Sequence, residues 1–135
     1  MNVTITPNSD KVISILLYND KDYIEKIYTE FNVNSDDKRL QFLVILGYMS
    51  KLSNNAIRLL VMIGKRGYSS IGHLLMDEYN KTFNVSSYVY YTALNELLSG
   101  GFVIKDDNKR WIHINSKYMD VINSIKHDTI IAIHF

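Results

Sequence analysis

The sequence contains no cysteine and only one proline among its 135 residues. Without cysteine the chain has no disulfide framework, no thiolate metal site and no cysteine nucleophile, which fits a reducing compartment. The longest apolar run, Phe42 to Leu46, is too short to cross a bilayer, and the first residues lack the layout of a secretion signal. We therefore expect a soluble, cytoplasmic protein without a membrane partner.

Patterns of catalytic or metal-binding residues are also missing. No pair of histidines has a metal-binding spacing such as His-x-x-x-His; the four are His73, His113, His127 and His134. The adjacent aspartates, Asp36-Asp37 and Asp106-Asp107, fall at a predicted helix start and a predicted turn, where acids serve capping and turn geometry. We expect no enzymatic activity, no catalytic residue, no metal and no cofactor.

The composition is that of a folded domain, with 47% apolar and 21% charged residues and a formal net charge of +1. The charges are unevenly distributed along the chain. Residues 38–76 carry six basic residues and no acidic one, whereas residues 1–37 are acidic overall. The basic segment is either an electrostatic footprint for phosphate or an ordinary solvated surface.

The first 50 residues predict a short strand and two helices. Val3 to Thr6 alternates as a strand, and Val12 to Tyr18 is either a strand or a helical turn. A helix starts at Asp20 or Asp22, with an apolar stripe at i, i+3, i+4 and i+7: Ile24, Ile27, Tyr28 and Phe31. A second helix over residues 36–50, capped by Ser35, places one set of residues on a common face: Leu40, Leu43, Val44 and Gly47.

Three more helices are predicted downstream. The first runs from about Asn54 to Ile63 after a cap at residues 52–55. The second, capped by Ser69 or Ser70, covers residues 71–82, with this apolar face: Ile71, Leu74, Leu75 and Tyr79. After a turn at Asn84, Ser86 or Ser87 caps the third, and Gly100-Gly101 ends it. Its buried stripe is Tyr90, Ala93, Leu94 and Leu97.

A β-hairpin follows, with strands over residues 102–105 and 110–114 and a turn between them. Ile112 and Ile114 lie on one face and are expected to point inward, which leaves Trp111 partly exposed; Trp111 packed on a neighbouring helix is the alternative. Residues 117–126 predict a short helix with an inward set: Tyr118, Val121, Ile122 and Ile125. The apolar tail, residues 129–135, is expected to pair with an N-terminal strand or with a second copy of the chain.

The order of elements over residues 54–114 resembles the winged helix-turn-helix family of DNA-binding proteins. The residues that match the family pattern are Val85, Ser86, Ala93, Leu94, Leu97, Gly101, Phe102 and Val103. A weaker resemblance is to plasmid and phage replication initiators of the firmicute replication-protein-L type. It rests on Leu52-Ser53 and on the run from Ile114 to Tyr118.

The resemblance implies a mostly helical α+β fold, a winged helix-turn-helix with an N-terminal helical extension and a small antiparallel sheet. We expect residues 1–50 to form an α/β extension with a possible role in dimerisation. Residues 51–118 would form the winged helix-turn-helix, and residues 119–135 a helix and strand tail.

The resemblance also implies binding of double-stranded DNA. Helical geometry turns one polar set outward, and we expect it to read bases: Ser87, Tyr88, Tyr91, Thr92 and Asn95. This face carries no Arg or Lys, so the phosphate contacts must come from elsewhere. The candidates are Arg58, Lys65, Arg66, Ser86, Lys105, Lys109 and Arg110. Neutralising about five phosphates would make log affinity fall with log salt at a slope near −4.5.

Two functions remain open. The first is a nucleoid- or plasmid-associated DNA-binding homodimer that acts in transcription regulation or in replication initiation on a plasmid or phage. The second is a protein-interaction adaptor, for example a small viral protein that binds a host factor. The uncharged helix face with its outward tyrosines favours the second, because tyrosine is a common interface anchor.

Overall fold

The computed structural model describes residues 2–6, 16–17, 21–34, 37–106, 108, 110–125 and 130–134. The helices within these residues are α1 (Lys21–Glu30), α2 (Lys38–Met49), α3 (Asn54–Lys65), α4 (Gly72–Phe83), α5 (Ser87–Ser99) and α6 (Ser116–Ser124). The strands are β1 (Asn2–Thr6), β2 (Leu16–Leu17), β3 (Ser69–Ile71), β4 (Val103–Lys105), β5 (Trp111–Ile114) and β6 (Ile130–His134). The predicted fold class, mostly helical α+β, is confirmed.

The centre of the fold is the pair α2 and α3. Both helices are buried along most of their length, and Leu43 and Leu60 are fully enclosed. Their axes approach closely because each helix has a glycine at the contact. A Cβ at Gly47 would lie 2.8 Å from Ile57, and one at Gly64 would lie 2.7 Å from Leu43. The predicted common face of α2 is therefore correct but too narrow, since the helix is covered on nearly every side.

The N-terminal helix packs as its periodicity predicts. Ile27, Tyr28 and Phe31 are all buried, whereas the side chain of Ile24 lies outside the described residues. Ser35, the predicted cap of α2, is also outside them. The cap is Asp37, whose carboxylate accepts a hydrogen bond from the Leu40 amide at 3.1 Å. A carboxylate at this position also interacts favourably with the positive end of the helix dipole.

The segment before α4 differs from the prediction. Ser69 and Ser70 do not cap the helix; they belong to β3, and α4 begins only at Gly72, without a side-chain cap. Ile71 pairs with Trp111 instead of lying on the helix, and Leu74 is 44% exposed, so it is not part of the buried face. Local periodicity fails here because β5 offers an edge whose backbone groups these residues satisfy.

The hairpin formed by β4 and β5 is confirmed, and β3 adds a third antiparallel strand, giving the order β3-β5-β4. Ile112 and Ile114 point into the core, as expected, while Trp111 is 39% exposed. The Gly72 amide donates to the Arg110 carbonyl at 2.8 Å. The sheet is thereby attached directly to the first residue of α4.

The chain termini form a second sheet of order β1-β6-β2. Strand β6 runs antiparallel to β1 and parallel to β2. The predicted pairing of the tail with an N-terminal strand is confirmed. For residues 12–18, the strand alternative holds at Leu16 and Leu17; the other residues of that run lie outside the described ones. Upstream of β6, α6 buries Ile122 and is followed by the buried Ile125, as predicted.

Candidate nucleic-acid interface

The helix with the predicted DNA-reading face, α5, starts from a tight turn after α4. Asn84 adopts the left-handed conformation, with φ 52°, which ends α4 and redirects the chain. Ser86 occupies the cap position of α5 in an extended conformation, but its side chain makes no capping bond. The side chain of Ser87 does not cap either; its oxygen accepts a hydrogen bond from Asn80 Nδ2 at 3.2 Å. This bond joins the two helices across the turn.

The inner side of α5 is buried as its stripe predicts, with Tyr90, Ala93, Leu94 and Leu97 all at 2% exposure or less. The Tyr90 hydroxyl donates to the Gly72 carbonyl at 3.3 Å, so α5 also contacts the start of α4. Burial raises the pKa of Tyr90, and its neutral form is the one that this interior holds.

The outer side of α5 is open. All five residues expected to read bases are exposed, with Tyr88 at 79% and Tyr91 at 51%; the others are Ser87, Thr92 and Asn95. The ring of Tyr91 meets that of Tyr90 edge-on at 5.2 Å between centroids, which restrains its orientation. The structure thus presents a continuous polar and aromatic surface without a charged group.

The polar groups on this surface keep unused hydrogen-bonding capacity. Thr92 Oγ1 donates to the Tyr88 carbonyl at 2.8 Å, so its lone pairs still accept, whereas Ser87 accepts from Asn80 and still has a proton to donate. Asn95 makes no side-chain hydrogen bond to any described residue. An exposed amide can form a bidentate contact with adenine in the major groove.

The hairpin carries three of the predicted phosphate-contacting cations. Lys105 and Arg110 are exposed, while the side chain of Lys109 lies outside the described residues. Asp106, which could repel phosphate, is turned back on the backbone. Its carboxylate accepts from the amides of Arg110 at 3.1 Å and Trp111 at 3.4 Å.

The other predicted phosphate-contacting cations make contacts with residues outside α5 and the hairpin. Arg58 lies 5.3 Å from the centre of the Phe83 ring, and Lys65 donates to the Asn32 carbonyl at 2.9 Å. Arg66 forms an ion pair with Glu78 and donates to Ser70 Oγ at 2.8 Å. The structure therefore divides the predicted set into a hairpin group and a group around α3 and α4.

One cation outside the predicted set, Lys51, is close in sequence to a contact with α5. Lys51 is exposed and stands two residues before Ser53, whose amide and hydroxyl both bond to Glu96 of α5. The sequence signal was its place in the acid-free segment 38–76. The packing of α3 against α5, including the contact between Ser53 and Glu96, brings that part of the segment to α5.

Comparison of the chain with protein-family models, curated proteins and solved structures gives no match. Among the described residues, no helix combines the length and the apolar character that crossing a membrane requires. The same part of the chain contains no group of three or more His, Asp or Glu residues arranged to hold a metal ion.

Proposed function

We propose that the protein binds double-stranded DNA as a winged helix-turn-helix, with α5 in the major groove and the β4–β5 hairpin on the adjacent backbone. The observation that carries this proposal is the exposed, uncharged polar face of α5, opposite a fully buried stripe. Such a binder would serve transcription regulation or replication initiation, associated with a nucleoid or plasmid.

The dimensions of α5 support this proposal. Its 13 residues at about 1.5 Å each give a rod about 20 Å long, and the major groove, about 12 Å wide, admits a helix. The serine, threonine and asparagine on the outer face are residue types that bond base edges. Tyr88, at the N-terminal end of the helix, can reach a phosphate through its hydroxyl.

The attachment of the hairpin supports the same proposal. Strand β3 pairs with β5 and leads directly into α4, and the bond from Asn80 to Ser87 joins α4 to α5. These connections would hold a groove-reading helix and a backbone-holding hairpin in register.

The charge distribution sets the expected salt dependence. Lys105, Lys109 and Arg110 supply about three phosphate contacts, so log affinity should fall with log salt at a slope near −2.7. This slope is shallower than the value near −4.5 that is expected if Arg58, Lys65 and Arg66 also contact phosphates.

A selection from random duplexes, followed by titration at two salt concentrations, tests the proposal. Asn95→Ala and Tyr91→Ala should reduce the preference for the selected sequence over a scrambled one, because they alter groove contacts. Lys105→Gln combined with Arg110→Gln should weaken both duplexes by the same factor, because phosphate contacts carry no sequence information.

Lys26→Gln is the matched control, since Lys26 is an exposed cation on α1 and should leave both affinities unchanged. Equal effects of the helix and hairpin variants on selected and scrambled duplexes would contradict the assignment of roles. Absence of binding to any duplex at low salt would contradict DNA binding itself.

An interaction adaptor is the second candidate, and one observation favours it. The outer face of α5 exposes two tyrosines and carries no cation of its own, and the sheet exposes Ile104 at 46% and Trp111 at 39%. Aromatic and aliphatic groups of this kind anchor protein interfaces. A chain that binds no duplex but loses a protein partner on Tyr88→Ala would be an adaptor.

We also propose that the protein acts as a homodimer on paired half-sites about 34–36 Å apart. The dimer contact would not be an edge pairing of the tail, because β6 is already paired on both sides. Light scattering of the protein, alone and with a two-half-site duplex, measures the stoichiometry. One protomer per duplex would contradict the dimer.

A further inference from the structure

A cleft lies between the C-terminal end of α1 and the helices α3 and α4. Its volume is about 270 Å³. Sites for small organic ligands commonly occupy about 300–1,000 Å³, and this cleft lies just below that range, so it is suited only to a small ligand. Two of the cations outside the hairpin, Arg58 and Lys65, line the cleft.

The floor of the cleft is apolar. Phe31, Val61 and Met62 line it, and each is at least nine-tenths buried. One wall is the ring of Phe83, with the Arg58 guanidinium 5.3 Å from its centre. A flat apolar body can therefore rest on this floor while a polar group of the same ligand reaches the rim.

The two acidic residues at the rim already have partners. Glu78 is paired with Arg66, which lies outside the cleft lining, and Glu30 Oε1 accepts a hydrogen bond from Asn54 at 3.3 Å. Neither carboxylate is within ion-pairing distance of Arg58 or Lys65. Arg66 therefore compensates the charge of Glu78, whereas the exposed Glu30 is held by a neutral amide.

The two basic residues of the cleft, Arg58 and Lys65, form no ion pair with a described acidic residue. Arg58 is half-buried, and its only hydrogen bond to a described residue is a long one, 3.4 Å, to Asn55 Oδ1. Lys65 donates one of its three protons to the Asn32 carbonyl. A partly desolvated guanidinium with most of its donors unused favours an anion, because burying an unpaired charge is unfavourable.

We propose that this cleft binds a small organic anion with a flat apolar body, such as an aromatic carboxylate. The rings or chain of the ligand rest on Phe31, Val61 and Met62. Its carboxylate accepts hydrogen bonds from Arg58 and Lys65. The site is separate from the DNA-binding surface proposed above and does not depend on it.

Calorimetric titration with 2-naphthoate tests the site, with 2-naphthamide as the uncharged probe of the same shape. We expect 2-naphthoate to bind one site per chain, and the amide to bind at least about tenfold more weakly because it lacks the charge. Arg58→Gln and Lys65→Gln should each weaken naphthoate by about fivefold to tenfold without changing the affinity for the amide.

Two further variants make the test specific. Thr82→Trp places a bulky ring at the exposed rim and should weaken both probes, because it obstructs the cleft without altering its charge. Lys81→Gln, an exposed cation on the same helix but outside the lining, should change neither. Circular dichroism melting confirms that each variant is folded before titration.

No saturable binding of 2-naphthoate at millimolar concentration would overturn the proposal. Equal affinity for acid and amide, or equal loss in Lys65→Gln and Lys81→Gln, would also overturn it. Because the titration contains no DNA, failure of duplex binding leaves these outcomes unaffected.

Discussion

Glu96 of α5 caps the first turn of α3 through Ser53. One carboxylate oxygen accepts from the Ser53 amide at 2.7 Å and the other from the Ser53 hydroxyl at 2.8 Å. The Ser53 oxygen in turn accepts from the Ala56 amide at 3.1 Å. In a local capping box the acid stands three residues after the cap. Here that position is Ala56, and a helix 43 residues away supplies the acid.

This relationship predicts a measurable coupling. Glu96→Ala should lower the free energy of unfolding by about 1–2 kcal/mol, because it leaves the Ser53 amide unpaired and removes a charge-assisted bond. In urea denaturation, the double variant with Ser53→Ala should lose less than the sum of the two single losses. Asp77→Ala, an exposed acid in α4, is the control and should change stability little. Additive losses would mean that the two residues act independently.

Replacing Lys51 by glycine should stabilise the folded protein. Its backbone is left-handed, with φ 58°, and its side chain is exposed. Lys51→Gly should raise the free energy of unfolding by about 0.5–1 kcal/mol, because relief of the left-handed strain exceeds the entropy that glycine adds to the unfolded chain. Lys81→Gly within α4 should instead cost about 1 kcal/mol. Thermal melting distinguishes the two, and a loss at both positions would contradict the argument.

Removing the hydroxyl group should have opposite effects on the free energy of unfolding at two buried tyrosines. Among the described residues the Tyr28 hydroxyl has no hydrogen-bond partner, whereas Tyr79 donates to the Asn55 carbonyl at 3.0 Å. Tyr28→Phe should raise the free energy of unfolding by up to about 1 kcal/mol, and Tyr79→Phe should lower it by about 1 kcal/mol. Urea denaturation at neutral pH measures both. The same sign for both would contradict the assignment.

Tyr28 also contributes to the response of stability to alkaline pH. Burial raises the pKa of Tyr28 in the folded protein above its usual value near 10. The neutral form is therefore favoured by folding, so its contribution to stability is complete below about pH 10 and is lost as the pH rises further. Tyr28→Phe should make the unfolding free energy fall less steeply above pH 10. An unchanged slope would show that Tyr28 does not contribute.

A row of aromatic rings connects the cleft with the outer face of α5. The centroid distances are 5.0 Å from Phe83 to Tyr79, 5.8 Å from Tyr79 to Tyr90, and 5.2 Å from Tyr90 to Tyr91. We expect saturating 2-naphthoate to change duplex affinity by about fivefold or more, with the reciprocal change in naphthoate affinity on DNA. Fluorescence anisotropy of a labelled duplex measures this change.

Variants of Tyr79 test the ring contacts themselves. Tyr79→Phe keeps the ring and should preserve the coupling, whereas Tyr79→Leu should reduce it. Duplex affinity that is insensitive to naphthoate in the unsubstituted protein would exclude coupling, and it would leave each of the two binding proposals to its own test.

The sequence by itself determined the elements whose pattern is local. The 3.6-residue stripe of α5 and the two-residue alternation of Ile112 and Ile114 each define a buried side without reference to the rest of the chain. The tail was also predictable, because its run of aliphatic residues had to be covered. The stripe of α5 likewise predicts from the sequence alone which face of that helix is exposed.

Only the tertiary structure decided the features that depend on distant partners. Ser69 and Ser70 have the composition of a helix cap, but β5 lies beside them and makes them a strand. Arg58, Lys65 and Arg66 belong to one acid-free segment of the sequence, but in the fold they contact Phe83, Asn32 and Glu78 respectively. Periodicity specifies which side of an element is apolar; which element will cover it, or neutralise its charges, follows only from packing the whole chain.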